Sequence, residues 1–127
     1  MSNEDLIKKF YVAFKNNDKD TYLNLCDDAL QWQTAEGMPN GGKYVGKEEI
    51  FEKYFPNMLA NFIEFHAIPE QILDMKDHVL VTGRYRGISK KKKNFEVSFS
   101  HVYHIQKNKI IQFRQFVDTK KILDSLN

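Results

Sequence analysis

The sequence predicts an α+β domain, with helices first and a run of strands after them. Three observations carry this. Apolar residues recur at helical spacing near the start, the texture turns to β-branched and aromatic alternation from residue 62 onward, and no repeat or linker interrupts the chain. At 127 residues the chain reads as one domain, 1–127, long enough to bury a core without disulfide or metal staples.

Taken in order, Ser2 followed by Asp5 has the form of a helix start, and Leu6, Ile7, Phe10, Tyr11 and Phe14 then fall on one face. "KNND" breaks the pattern, and "KDTYLNLC" reads as a second, short helix. "ALQWQT" is a brief strand, and "AEGMPNGG" a loop by its Gly, Pro and Asn content. In "KEEIFEKYFPNMLANF", Ile50, Phe51, Tyr54 and Phe55 share one side of a third helix that Pro56 bends or interrupts. Strands follow in "FIEFHAI", "QILDM", "VLVTGRYRGI", "FEVSFSHVYHI" and "IIQFRQFV", and "KKILDSL" closes the chain as a helical turn or two.

Nineteen basic residues against seventeen acidic ones leave +2, too balanced for nucleic acid or membrane as the main partner. The lysines at 90–93 read as a solvated hairpin tip that guards against edge pairing. Cys26 is the single cysteine, so no intrachain disulfide forms, and a cytoplasmic location is expected. Its setting, "YLNLC", suits a small buried hydrophobe. The start is charged and lacks a signal-peptide core, and no run reaches the length of a membrane span.

The stretch "HVYHIQKNKIIQFRQFVD" bears most on function. A two-residue loop at Lys107 and Asn108 would pair Ile105 with Ile110 and set His101 opposite Arg114. A three-residue loop over residues 106–108, with Asn108 left-handed, sets Tyr103 against Ile111, His101 against Phe113 and Phe99 against Gln115. The second register sorts side chains more cleanly. Val97, Phe99, His101, Tyr103, Ile105, Ile111, Phe113, Gln115 and Val117 then share a face, so the three-residue loop is expected.

On that face His101 and Gln115 are the strongly polar groups. Burying either without a partner costs about 1–3 kcal/mol, so each must bond a neighbour or face a cavity. As an acid/base, His101 offers a pKa near neutrality, and the competing reading is a core histidine bonded to a carbonyl or tyrosine. Arg84 could point to either face; inward, it would favour a weakly anionic ligand. Asp118, before "TKKIL", reads as a helix N-cap. No metal site is expected: His101 and His104, three apart on a strand, point to opposite faces, and His66 and His78 lie far off in sequence.

The segments "LIKKFYVAFKNND", "LCDDALQW", "GGKYVGKEEIFEKYF", "VLVTGRYRG" and "FEVSFSHVYHIQKNKIIQFRQFVDT" span nearly the whole length. Their order and spacing resemble the SnoaL-like proteins of the nuclear transport factor 2-like superfamily, related to ketosteroid isomerases, polyketide cyclases and limonene epoxide hydrolases. The resemblance implies a cone of three N-terminal helices on a strongly curved, mostly antiparallel sheet, with a short C-terminal helix. It also implies an apolar pocket and a homodimer formed through the outer sheet face.

The family's catalytic groups do not carry over. Gln33 falls on or near the position of the isomerase base. Arg84 matches the epoxide hydrolase arginine, but Arg86 and Gln115 stand where its two carboxylates would be. His101 and Asp118 are nearest to the proton-shifting pair of the cyclases, although their parity puts them on different faces.

Three functions remain, in this order. The first is a binder of a small apolar or weakly anionic organic ligand, with no cofactor. The second is an isomerase- or cyclase-type enzyme using His101 for proton transfer. The third is a non-catalytic dimeric partner module. The residues expected to line the pocket with His101 are Gln115, Arg84, Trp32, Gln33, Tyr44, Phe99, Tyr103 and Phe113. A carboxylate beside His101 would favour the enzyme over the binder, and a filled cone would favour the partner module.

Overall fold

The computed structural model describes residues 1–127. Helix α1, Asn3–Lys15, starts where Ser2 accepts a hydrogen bond from the Asp5 amide, and it buries Leu6, Ile7, Phe10 and Ala13. Helix α2, Lys19–Asn24, is capped by Asp18 and leads into strand β1, Cys26–Gln33. A short strand β2, Lys43–Val45, follows the Gly- and Pro-containing loop and was not legible as a strand. The third helix is a π-helical turn, Glu49–Tyr54, continuing into α3, Phe55–Leu59, with Pro56 at its first turn. Pro56 has no N–H to donate, so the widened turn ahead of it is where the helix accommodates the loss.

Strands β3, Phe62–Met75, β4, His78–Ser89, β5, Asn94–Gln106, and β6, Lys109–Val117, complete one sheet of order β2-β1-β6-β5-β4-β3. The β1–β6 pair is parallel and the rest are antiparallel. The two runs expected as separate strands at 62–75 form one strand with a register shift between Pro69 and Gln71. Helix α4, Thr119–Leu126, begins at Asp118, whose carboxylate accepts from the Lys120 amide as expected.

One glycine shows why the sheet bends. A Cβ on Gly83 would lie 2.1 Å from the Ile68 carbonyl oxygen and 2.9 Å from the Phe99 ring. Only a residue without a Cβ allows β3 to fold so closely over β4 there.

The β5–β6 hairpin corrects the expected register. Lys107 and Asn108 both have positive φ, +51° and +61°, which is the type I′ pattern of a two-residue loop. Ile105 pairs with Ile110, and a shift next to His104 then sets His101 opposite Gln115, Tyr103 opposite Phe113 and Phe99 opposite Val117. These partners differ from the three-residue-loop pairs by two positions, and an even shift keeps every side chain on its face. Near the turn the parity does change: Ile110 is fully buried, while Ile111 is half-buried.

Candidate functional site

The inner face of the sheet carries His101 and Gln115, which are 4 % and 7 % exposed. His101 Nδ1 lies 2.6 Å from the Tyr11 hydroxyl, delivered by α1, and Nε2 meets the Tyr85 hydroxyl from β4. Tyr103 donates to Tyr11 at 2.9 Å. Gln115 Nε2 donates to Tyr85 at 2.7 Å, and its Oε1 accepts the Ala35 amide at 3.1 Å. Because the Oε1 end is committed to a backbone N–H, the amide cannot be turned round. No carboxylate is bonded to the imidazole.

Burial dominates the electrostatics. It lowers the His101 pKa from 6.5 to about 3, so the ring is neutral at physiological pH. Burial also raises Tyr85, Tyr103 and Tyr11 well above the usual phenol range, with the neighbouring Tyr103 adding to the effect on Tyr11. Burial likewise pushes the Cys26 thiol up to about 12, which suits an inert thiol.

The network carries one proton more than it can use. Three phenols and a neutral imidazole bring four N–H or O–H protons. Their mutual contacts, Tyr103–Tyr11, Tyr11–His101 and His101–Tyr85, take three; the Gln115–Tyr85 contact uses the amide's own proton. If Tyr85 accepts from Gln115 and donates to Nε2, then Nδ1–H donates to Tyr11. With Tyr103 donating to Tyr11, the Tyr11 oxygen then accepts twice and its O–H is the spare proton; with that hydroxyl pair reversed, the spare proton sits on the buried Tyr103. The other tautomer leaves the spare proton on Tyr85. Tyr85 is buried, whereas Tyr11 is half-buried.

Several residues expected at the pocket do gather here. Phe99 stacks on the His101 ring at 4.0 Å between centroids, Phe113 meets it edge-on at 4.8 Å, and Trp32 stacks on Phe113 at 3.7 Å. Tyr44 shares the row of Trp32 and Phe113 but sits at the β2 edge, its ring against Tyr54 and its hydroxyl on the Asn40 carbonyl.

Two expected residues lie elsewhere. Arg84 is on the outer face, bonded to Glu96 at 2.7 Å and 3.5 Å from Glu70, because Tyr85 and the buried Val79 and Val81 fix the inward parity of β4. Gln33 is half-buried on the outer face of β1 and donates to the Thr34 carbonyl. Tyr11 and Tyr85 were the partners that sequence reasoning missed. Their signal was a phenol on an otherwise apolar face of a helix and of a strand.

Two surface hollows, of about 470 and 620 Å³, are lined by other groups, and neither includes His101. The larger one touches Gln33 and Gln115 beside Arg114 and Phe116. On β3 the inner face is uncovered at Ala67, the exposed register partner of the buried Tyr85 on the same face, while Phe65, Pro69 and Ile72 are half-buried.

Residues 7–113 match the model of the SnoaL-like domain. The chain belongs to the SnoaL-like family. Among solved structures, this SnoaL-like protein is similar to a nuclear transport factor 2-like protein from Burkholderia thailandensis, at 24 % identity and TM-score 0.93, covering 100 % of this chain and 98 % of that one. It is also similar to TerC co-crystallised with polyporic acid, at 19 % identity and TM-score 0.88, covering 96 % and 95 %. A candidate SnoaL-like polyketide cyclase from Jannaschia sp. CCS1 aligns at 11 % identity and TM-score 0.82, covering 96 % and 89 %. At these identities the likeness establishes the nuclear transport factor 2-like fold. No curated protein matches the chain. No helix is long and apolar enough to cross a membrane.

Proposed function

We propose that this SnoaL-like protein binds a small, largely apolar organic molecule bearing an oxygen acceptor, and that the Tyr11 hydroxyl donates to that oxygen. The observation that carries the reading is the surplus proton of the Tyr103–Tyr11–His101–Tyr85–Gln115 network. A donor without an acceptor, in a desolvated setting, gains a full hydrogen bond from a ligand carbonyl or enol oxygen. Phe99, Phe113, Trp32 and Tyr103 supply the apolar wall such sites have, and the uncovered inner face at Ala67 supplies an approach. Arg84 is already paired with glutamates outside, so nothing at the network asks for an anionic ligand.

The isomerase- or cyclase-type reading is second. A proton could pass from Tyr11 to substrate, from Nδ1 to Tyr11, and from Tyr85 to Nε2. That sequence would leave Tyr85 as a buried phenolate, which its raised pKa opposes. Binding needs no such charge.

The partner-module reading rests on the outer face, where Ile68, Leu73 and Phe116 are 38 %, 41 % and 46 % exposed beside half-buried Leu80 and Val102. A homodimer through this face is our reading of that patch. Leu73→Glu is expected to shift the sedimentation coefficient to that of a monomer; an unchanged value removes this surface from the assembly.

The ligand test is native mass spectrometry of the protein purified from its own source, followed by titration of the retained compound. Tyr11→Phe is expected to weaken binding by about tenfold with the fold intact. Full affinity in Tyr11→Phe would overturn the donor role.

A further inference from the structure

His104 lies on the outer face, away from the phenol network, and its Nε2 is a buried polar atom with no hydrogen-bond partner. Asp77 Oδ2 stands 3.5 Å away, without forming a hydrogen bond to it. His78 is the register partner of His104 across β4 and β5, and the two rings stack at 4.2 Å. Asp77 Oδ1 lies 3.1 Å from His78 Nδ1, so one carboxylate reaches both histidines. The Asp77 carbonyl accepts the Ile105 amide at 2.8 Å, which ties the β3–β4 turn to β5 beside His104.

We infer that Asp77, His78 and His104 form a site for a single divalent transition-metal ion that takes nitrogen and oxygen ligands, zinc being the best fit. One donor atom from each residue falls within 4.8 Å of the others. Around a tetrahedral zinc with bonds of about 2.0–2.1 Å, neighbouring donors stand roughly 3.3 Å apart. Asp77 Oδ1 stands 3.1 Å from the His78 imidazole and its other oxygen, Oδ2, 3.5 Å from that of His104, so a small turn of the carboxylate brings one oxygen to that spacing from both rings. Neutral imidazole and carboxylate are ligands that zinc, nickel and copper share, so geometry and ion supply decide among these metals.

The orphaned nitrogen gives the site its driving force. A buried imidazole nitrogen without a partner is costly, and a metal ion satisfies its lone pair. The rings are near parallel, 10° apart, so both cannot direct lone pairs at one ion while stacked. Binding therefore turns His78, whose side chain is 41 % exposed, out of the stack, while His104, at 23 %, stays in place. Three protein ligands leave a fourth position open to water or an incoming group, unlike the closed shell of a structural zinc site. Sequence spacing hid this cluster, because His78 and His104 are 26 residues apart and meet only through strand pairing.

The test is calorimetric titration of the metal-stripped protein with zinc ion alone. One equivalent per chain is expected to bind saturably, with the ring resonances of both His78 and His104 shifting. His104→Ala and His78→Ala are each expected to weaken binding by at least about tenfold. His66→Ala, an exposed histidine outside the cluster, is expected to leave it unchanged. If His104→Ala fails to fold, the partly exposed His78 position carries the comparison. No saturable uptake by the parent protein, or uptake that survives His78→Ala, overturns the site.

Discussion

His101 and His104 stand three residues apart on β5, and the pleat sends them to opposite faces. His101 enters the core, where two phenols satisfy both of its nitrogens and burial holds the ring neutral. His104 stays at the outer wall with one nitrogen unpartnered, 3.5 Å from a carboxylate. The difference teaches that a histidine's chemistry here is set by what the neighbouring strands and helix bring to its face. Local sequence does not announce the difference: in "SHVYHIQ" each histidine is followed by a β-branched residue, Val102 or Ile105.

Acid separates the two most strongly. The His101 pKa is lowered on folding, so between pH 6.5 and about 3 the unfolded chain binds a proton that the folded chain does not. Stability therefore falls as pH falls through that window, by up to about 1.4 kcal/mol per unit from this residue. Urea unfolding from pH 7 down to pH 4 is expected to show the steep loss in the parent and in His104→Ala, and a shallower one in His101→Phe. An equal slope in all three would place His101 in water.

At neutral pH, His101→Ala removes the hub of the network and leaves a cavity beside Phe99, with an expected loss of about 3 kcal/mol. His104→Ala is expected to change stability by no more than about 0.5 kcal/mol. The pair of denaturation midpoints reads this contrast directly.

Tyr85→Phe sharpens it further. The change strands Gln115 Nε2 and His101 Nε2 together, for an expected loss of about 2 kcal/mol. Tyr11→Phe, by contrast, removes the group with the surplus proton while Tyr103 and Nδ1 lose an acceptor. Its stability loss is expected at about 1 kcal/mol, the smallest in the network, while its effect on ligand retention is the largest. If Tyr85→Phe and Tyr11→Phe prove equal in both measures, the proton inventory is wrong.

Much of the fold was legible in the chain. Ser2 and Asp118 announced their caps, the apolar spacing of Leu6, Ile7 and Phe10 gave α1, and alternation from residue 62 gave the long strands. The shared face of His101 and Gln115 was legible too, although the loop length was not. Hydrophobic sorting reports parity alone, so the bulge beside His104 could hide in a register wrong by two. Arg84 was open to either face because its strand alternates apolar residues with long or polar ones that tolerate both.

The sequence by itself determined where α1, α4 and the long strands lie, and that an imidazole and an amide share a greasy face. Those are consequences of period and propensity, which act over a few residues. Only the tertiary structure decided that Tyr11 and Tyr85 close on His101, that Arg84 turns outward to Glu96, and that His78 meets His104 over Asp77. Such meetings join elements up to 90 residues apart, and they depend on sheet register and helix docking rather than on any local pattern.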